Sequence, residues 1–236
     1  MSNSKTNISV LHRSSNCSVL SRFHIKDFWS TITHFIGFVA SIFMTPVMLV
    51  HASSHHADSI TLICLSIFMV SMILLYGASS TYHAFDLGQK RNKILKKIDH
   101  LMIFVLIAGS YTPICMCVLP ATSGIPLLIA VWGIAVIGMV IKLFWIFCPK
   151  WFSSLLYIAM GWSCIVCIPA LYQILPRPAF LLLLTGGLFY TVGGVLYALK
   201  LKALNERFQE FGSHEIFHVF VMVGNLCHFL MMFLYI

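Results

Sequence analysis

The sequence predicts an all-α fold: a seven-transmembrane helix bundle with a cytoplasmic N-terminus and an extracytoplasmic C-terminus. Three observations predict it. Charged residues are 9% of the 236 positions and apolar residues 59%, with a mean hydropathy of +0.92, far beyond what a water-soluble surface permits. Seven apolar runs reach the ~20 residues a helix needs to cross the hydrocarbon core, and lipid leaves their backbone groups no hydrogen-bond partner outside the helix itself. Finally, Lys and Arg fall on alternate connections between those runs.

In chain order the spans are read at Trp29–Val50, Ser59–Tyr82, Asp99–Leu119, Ile125–Phe147, Ser153–Leu175, Ala179–Leu199 and Ser213–Ile236. Pro120, Pro149, Pro176 and Pro178 punctuate the short turns, as residues that cannot continue a helix should. Residues 1–28 are read as a cytoplasmic tail and 29–236 as a single membrane domain. Met1 to Asp27 is polar and basic without a short apolar stretch and cleavage site, so the first helix is its own insertion signal. Lys5, Arg13, Arg22 and Lys26, then Lys90, Arg91, Lys93, Lys96 and Lys97, then Lys142 and Lys150, then Lys200, Lys202 and Arg207 share one side, against Arg177 alone on the other. The positive-inside rule makes the basic side cytoplasmic, in a multi-pass protein of the cell membrane. One helix more or fewer would scramble the alternation.

The formal charge of +8 does not indicate a nucleic-acid partner, because the basic residues are dispersed among loops instead of gathered on one wet face. Membrane lipids are the expected partners, with a homo-oligomer compatible with the sequence. Six of the eight cysteines lie inside apolar runs; Cys17 and Cys148 are the two expected near water, and Cys164 and Cys167, although a CxxC pair, read as packing. Gly186, Gly187, Gly193 and Gly194 recur seven apart in the sixth span, a stripe of small residues for close helix packing.

Ionisable groups in a span are costly, on the order of 2.5–3.5 kcal/mol for Asp, so they direct attention to function. Most acids sit in loops or tails; Asp99 is expected at the start of the third helix and Glu215 at the start of the seventh. At that same cytoplasmic depth His83 ends the second helix while His214 and His218 open the seventh, and residues four apart share a helical face, as do Ser79 and His83. Three imidazoles beside a carboxylate make a cation site, and a three-His set suits zinc with one position left for water. His51, His55 and His56 read as interfacial anchors, and His34, His100 and His228 as structural or supporting residues. His214-Glu215-Ile216-Phe217-His218 also spells HExxH, but little chain follows it to supply a third ligand, so a site shared with His83 fits the topology better.

The segments Ser79–His83, Asp99-His100, Ile107–Pro113, Gly186-Gly187 with Tyr190, Gly193 and Tyr197, and Phe211–His218 resemble the hemolysin III family from Thr33 to the C-terminus. This is the bacterial branch of the progestin and adipoQ receptor group, placed with alkaline ceramidases among putative membrane hydrolases. The resemblance implies zinc (Zn2+) bound by His83, His214 and His218, with Ser79 and Asp99 positioning or activating the attacking water. Ser30 stands where the family commonly carries Asn.

The expected function is a zinc-dependent membrane hydrolase of a lipid amide or ester, or a regulator of lipid homeostasis. The alternative is a pore-forming or cytolytic protein in which zinc is a structural clamp, although no helix is amphipathic enough to line a wide aqueous channel. A retinal protein is excluded because the last span contains no lysine for a Schiff base. An intramembrane protease built on HExxH is a lesser alternative.

Overall fold

The computed structural model describes residues 25–199, 206–207 and 211–236. The tail residues Lys5, Arg13, Cys17 and Arg22, and Lys200, Lys202 and Glu210 of the last connection, lie outside the described residues. Within them the chain is all helical: α1 (Phe28–Ser54), α2 (Ser59–Ala84), α3 (Gln89–Pro113), α4 (Ala121–Phe144), α5 (Lys150–Gly161), α6 (Ile168–Ile174), α7 (Arg177–Leu199) and α8 (Ser213–Tyr235). A π turn at Ile114–Val118 extends α3, and a 3-10 segment at Trp162–Cys167 joins α5 to α6. These make seven helical units long and apolar enough to cross a membrane, as the hydropathy pattern anticipates.

The bundle is ordered by its neighbours in sequence: α1 packs on α2, α2 on α3 and α3 on α4, while α7 packs on α5 and α8 and α8 closes back on α1. Polarity runs inward. Ser30, His34, Ser79, His83, Asp99, His218 and Asn225 are buried, whereas Phe43, Val50, Ile129, Ile137 and Phe147 are exposed, the distribution that lipid as solvent requires. Glycines let neighbouring helices close the seams, with side chains at some positions and backbone at others: a Cβ at Gly124 would fall 2.1 Å from the Cys115 carbonyl oxygen. A Cβ at Gly138 of α4 would fall 2.2 Å from the Phe104 ring, and one at Gly186 of α7 would fall 2.4 Å from His228. The α7 glycines do not form one stripe: Gly186 and Gly193 face α8, Gly194 faces Ile158 of α5, and Gly187 lines a cavity.

Two boundaries differ from expectation in ways that matter. The third helix starts at Gln89 instead of Asp99, because Gln, Lys and Arg are good helix formers even where they are too polar for a hydrocarbon window. Asp99 is therefore an interior residue of α3, 7% exposed. The fifth span is not one helix. It tightens at Trp162–Cys167, and Tyr111 of α3 serves the disturbed backbone: its hydroxyl lies 2.5 Å from the Gly161 carbonyl and accepts from the Cys164 N–H at 3.0 Å. Cys148, expected near water, is buried beside Lys142. All the described cysteines are free.

Because the Tyr111 hydroxyl satisfies backbone groups that lipid cannot, Tyr111→Phe should lower stability by about 1–3 kcal/mol. Thermal unfolding in detergent reads this as a reduced Tm; an unchanged Tm would show that the broken span satisfies itself.

Candidate metal centre

The last turn of α2 and the first two turns of α8 end at the same level of the bundle. Lys26 just before α1, Lys90 and Arg91 opening α3 and Lys150 opening α5 lie there too, whereas Arg177 opens α7 at the other end. His83, His214 and His218 each offer one ring nitrogen, and these three atoms lie within 4.8 Å of one another. His83 Nε2 and His214 Nε2 are 3.2 Å apart. His83 and His218 are 4% and 2% exposed.

The neighbours of each ring decide which nitrogen faces the cluster. Asp27, just before α1, places Oδ2 2.9 Å from His83 Nδ1. That hydrogen bond outweighs partial burial and holds the Asp27 carboxyl below its usual range, so it stays an acceptor at neutral pH and His83 Nδ1 must be the donor. In the neutral ring the lone pair of His83 is therefore on Nε2. His218 Nδ1 lies 3.3 Å from Thr33 Oγ1, whose own proton goes to the Trp29 carbonyl at 2.9 Å. The hydroxyl then accepts from His218, and Nε2 again keeps the lone pair.

Lone pairs converging in a buried site repel unless a cation or a proton lies among them. Zinc takes imidazole nitrogens at about 2.0–2.1 Å in tetrahedral geometry, which sets neighbouring nitrogens about 3.3 Å apart. The 3.2 Å between His83 and His214 matches that edge. The donor set suits a divalent ion of borderline softness.

The other polar residues are placed as follows. Ser79, 1% exposed, and Asp99 line the same cavity as His34, His214 and His218, whereas His83 is not part of its lining. Asp99 Oδ2 is 3.5 Å from His100 Nδ1, which is also 2.8 Å from the Lys96 carbonyl. His34 stacks on His218 at 3.6 Å between centroids and 9° between planes, and neither of its buried nitrogens has a protein partner. Glu215 is fully committed, accepting from Ser30 Oγ at 2.6 Å and from the Gly212 N–H at 2.8 Å. It fastens α8 to α1 and caps α8, so the HExxH glutamate does not face the site as a general base. Ser30 thus makes an inter-helix bond at the position where the resembling family commonly carries Asn. His51 stacks on Phe233, and His228 Nε2 lies 3.3 Å from the Leu183 carbonyl.

The cavity has a volume of about 180 Å³. Its lining runs along α7 from Tyr197, beside His214, to Phe180, and along α8 from His214 to His228, more than 20 Å of depth at about 1.5 Å per residue. Most of the wall is apolar: Leu75, Ile103, Leu106, Phe217 and Val221.

Fold and site together define a multi-pass integral membrane protein with a buried three-histidine group able to hold a metal at one end of an apolar cavity. Residues 24–229 match the family model described as "Haemolysin-III related". The chain is 34% identical over 217 residues to "Hemolysin-3" of Bacillus cereus, covering 92% of this chain and 94% of that protein. It is 35% identical over 210 residues to "Hemolysin-3 homolog" of Bacillus subtilis (strain 168), covering 89% and 94%. The chain therefore belongs to the haemolysin III family.

Asp27 is the residue that sequence reasoning left in the tail; the signal for it was its depth, one position before a helix that starts level with His83. Removing a partner that orients a ligating imidazole typically lowers metal affinity 10–100-fold. Asp27→Ala should do so in a competitive zinc titration of purified protein. Wild-type affinity in that variant would mean that Asp27 does not set the His83 tautomer.

Proposed function

We propose that the protein is a zinc-dependent hydrolase of a lipid amide or ester, working at the cytoplasmic leaflet of the cell membrane. The observation that carries this reading is the convergence of His83, His214 and His218, two of which line one end of a deep apolar cavity. The excess of Lys and Arg at the same end supports a cytoplasmic site. His83, His214 and His218 would hold the ion, which supplies a nucleophilic water near neutral pH and polarises a carbonyl.

The chain's own groups complete the chemistry. The apolar cavity receives an acyl chain and excludes bulk water, bringing the carbonyl to the histidine end. Asp99, acceptor-only when ionised, takes a proton from the attacking water and returns it to the leaving group. Ser79 donates its hydroxyl hydrogen to the carbonyl oxygen as negative charge develops there. His34, stacked on His218, keeps that ring from turning.

The name Hemolysin-3 carried by the relatives favours a second reading, a pore-forming or cytolytic protein in which the metal only clamps α2 to α8. The apolar cavity wall argues against water or ions passing through it.

Three measurements separate these readings. His214→Ala should remove stoichiometric zinc from detergent-purified protein, and unchanged metal content would refute the site. Asp99→Asn should keep the zinc and lower turnover by roughly 10²–10⁴-fold; loss of both together would instead make Asp99 a structural residue. Lipid analysis of membranes carrying wild-type or His218→Ala protein should show a fatty acid released from one parent lipid by wild type alone. If no lipid changes and liposomes leak dye in a histidine-dependent way, the cytolytic reading replaces the enzyme.

A further inference from the structure

Lys142 differs from the other basic residues. It lies in the last turn of α4 and is 1% exposed, although a buried cation is strongly disfavoured without a countercharge. Among the described residues no carboxylate lies within 4.0 Å of its Nζ. Its hydrogen bonds go to a hydroxyl and a thiol group at the α4–α5 turn, Ser153 Oγ at 2.5 Å and Cys148 Sγ at 3.0 Å, and the Tyr157 ring lies 6.0 Å away. The positive end of the α5 dipole, which begins at Lys150, adds to the uncompensated charge.

Ser153 connects this charge to the cavity. It is buried in the α5 first turns and lines the cavity beside Ser154 and Tyr157, while Lys142 stands behind it. Its oxygen accepts from the ammonium, which leaves its own hydrogen to donate. The protein acceptors within reach are Cys148 Sγ at 3.2 Å and the Pro149 carbonyl at 3.5 Å, one weak by type and the other by distance. An anionic oxygen in the cavity is a better acceptor than either, because charge-assisted bonds are roughly twice as strong as neutral ones.

We propose that Lys142 and Ser153 form an anion subsite in the cavity wall, at which Ser153 donates to a carboxylate or phosphate oxygen of a single-chain amphiphile while Lys142 neutralises it from behind. The apolar remainder of the cavity takes the tail. The subsite stands whether or not turnover occurs; on the hydrolase reading, it selects acyl lipids with an acidic head over neutral ones.

The test is equilibrium binding to the full-length protein by native mass spectrometry, with myristate, myristyl phosphate and myristyl alcohol as probes. At least one anion should bind ten-fold or more tightly than the alcohol, and the tighter anion names the head group. Lys142→Met should bring that ratio close to one without weakening the alcohol, and Ser153→Ala should cut it several-fold. In His218→Ala the ratio should persist, since it does not depend on a metal. Equal binding of anions and alcohol by wild type would overturn the proposal. So would an unchanged ratio in Ser153→Ala, which tests the subsite even if Lys142→Met fails to fold, or a ratio lost in His218→Ala, which would assign the anion to the metal.

Discussion

His83 and His214 stand 131 positions apart in the chain and 3.2 Å apart in space, and neither nitrogen can be brought there without the other's helix. The approach joins α2 to α8, the second and last spans, and the supports around it bring in α1. Asp27 fixes the His83 ring, Thr33 fixes His218, and Ser30 holds Glu215 at the start of α8. Each contact is polar, is partly or wholly withdrawn from water, and is worth more there than it would be at an aqueous surface. The end of the bundle that carries the site is accordingly the end where three helices are tied by hydrogen bonds in addition to packing.

The remainder of the bundle supplies what such a site needs. Apolar side chains face outward and polar ones inward, so the interior can hold a carboxylate, a lysine and several imidazoles at depths where lipid would reject them. The break in the fifth span belongs to the same arrangement: Gly161, Trp162 and Cys164 line the cavity, and Tyr111 satisfies the backbone they disturb. Irregular backbone at membrane depth is tolerated where it faces a cavity instead of lipid.

Much of this was legible in the sequence, for physical reasons. The number of spans follows from seven apolar runs, and the meeting of His83 with His214 and His218 follows from helix periodicity and common depth. What was not legible depended on contacts between helices. Asp99 reads from sequence as a helix start because charged turns fall outside an apolar window while remaining helical. The 3-10 segment ends two residues before Pro169, which cannot donate to the preceding turn, but its support by the Tyr111 hydroxyl from α3 is a contact between helices that the sequence does not show. Asp27 looked like a tail residue, and Lys142 looked like an ordinary loop-end charge until its burial against Ser153 was visible.

The central claim is that three imidazoles from two helices share one divalent ion. X-ray absorption at the zinc edge on purified protein tests it most directly. The account predicts one zinc per chain with a shell of three imidazole nitrogens at about 2.0–2.1 Å and no sulfur. A sulfur shell near 2.3 Å, or a zinc signal that survives replacement of His83, would contradict it.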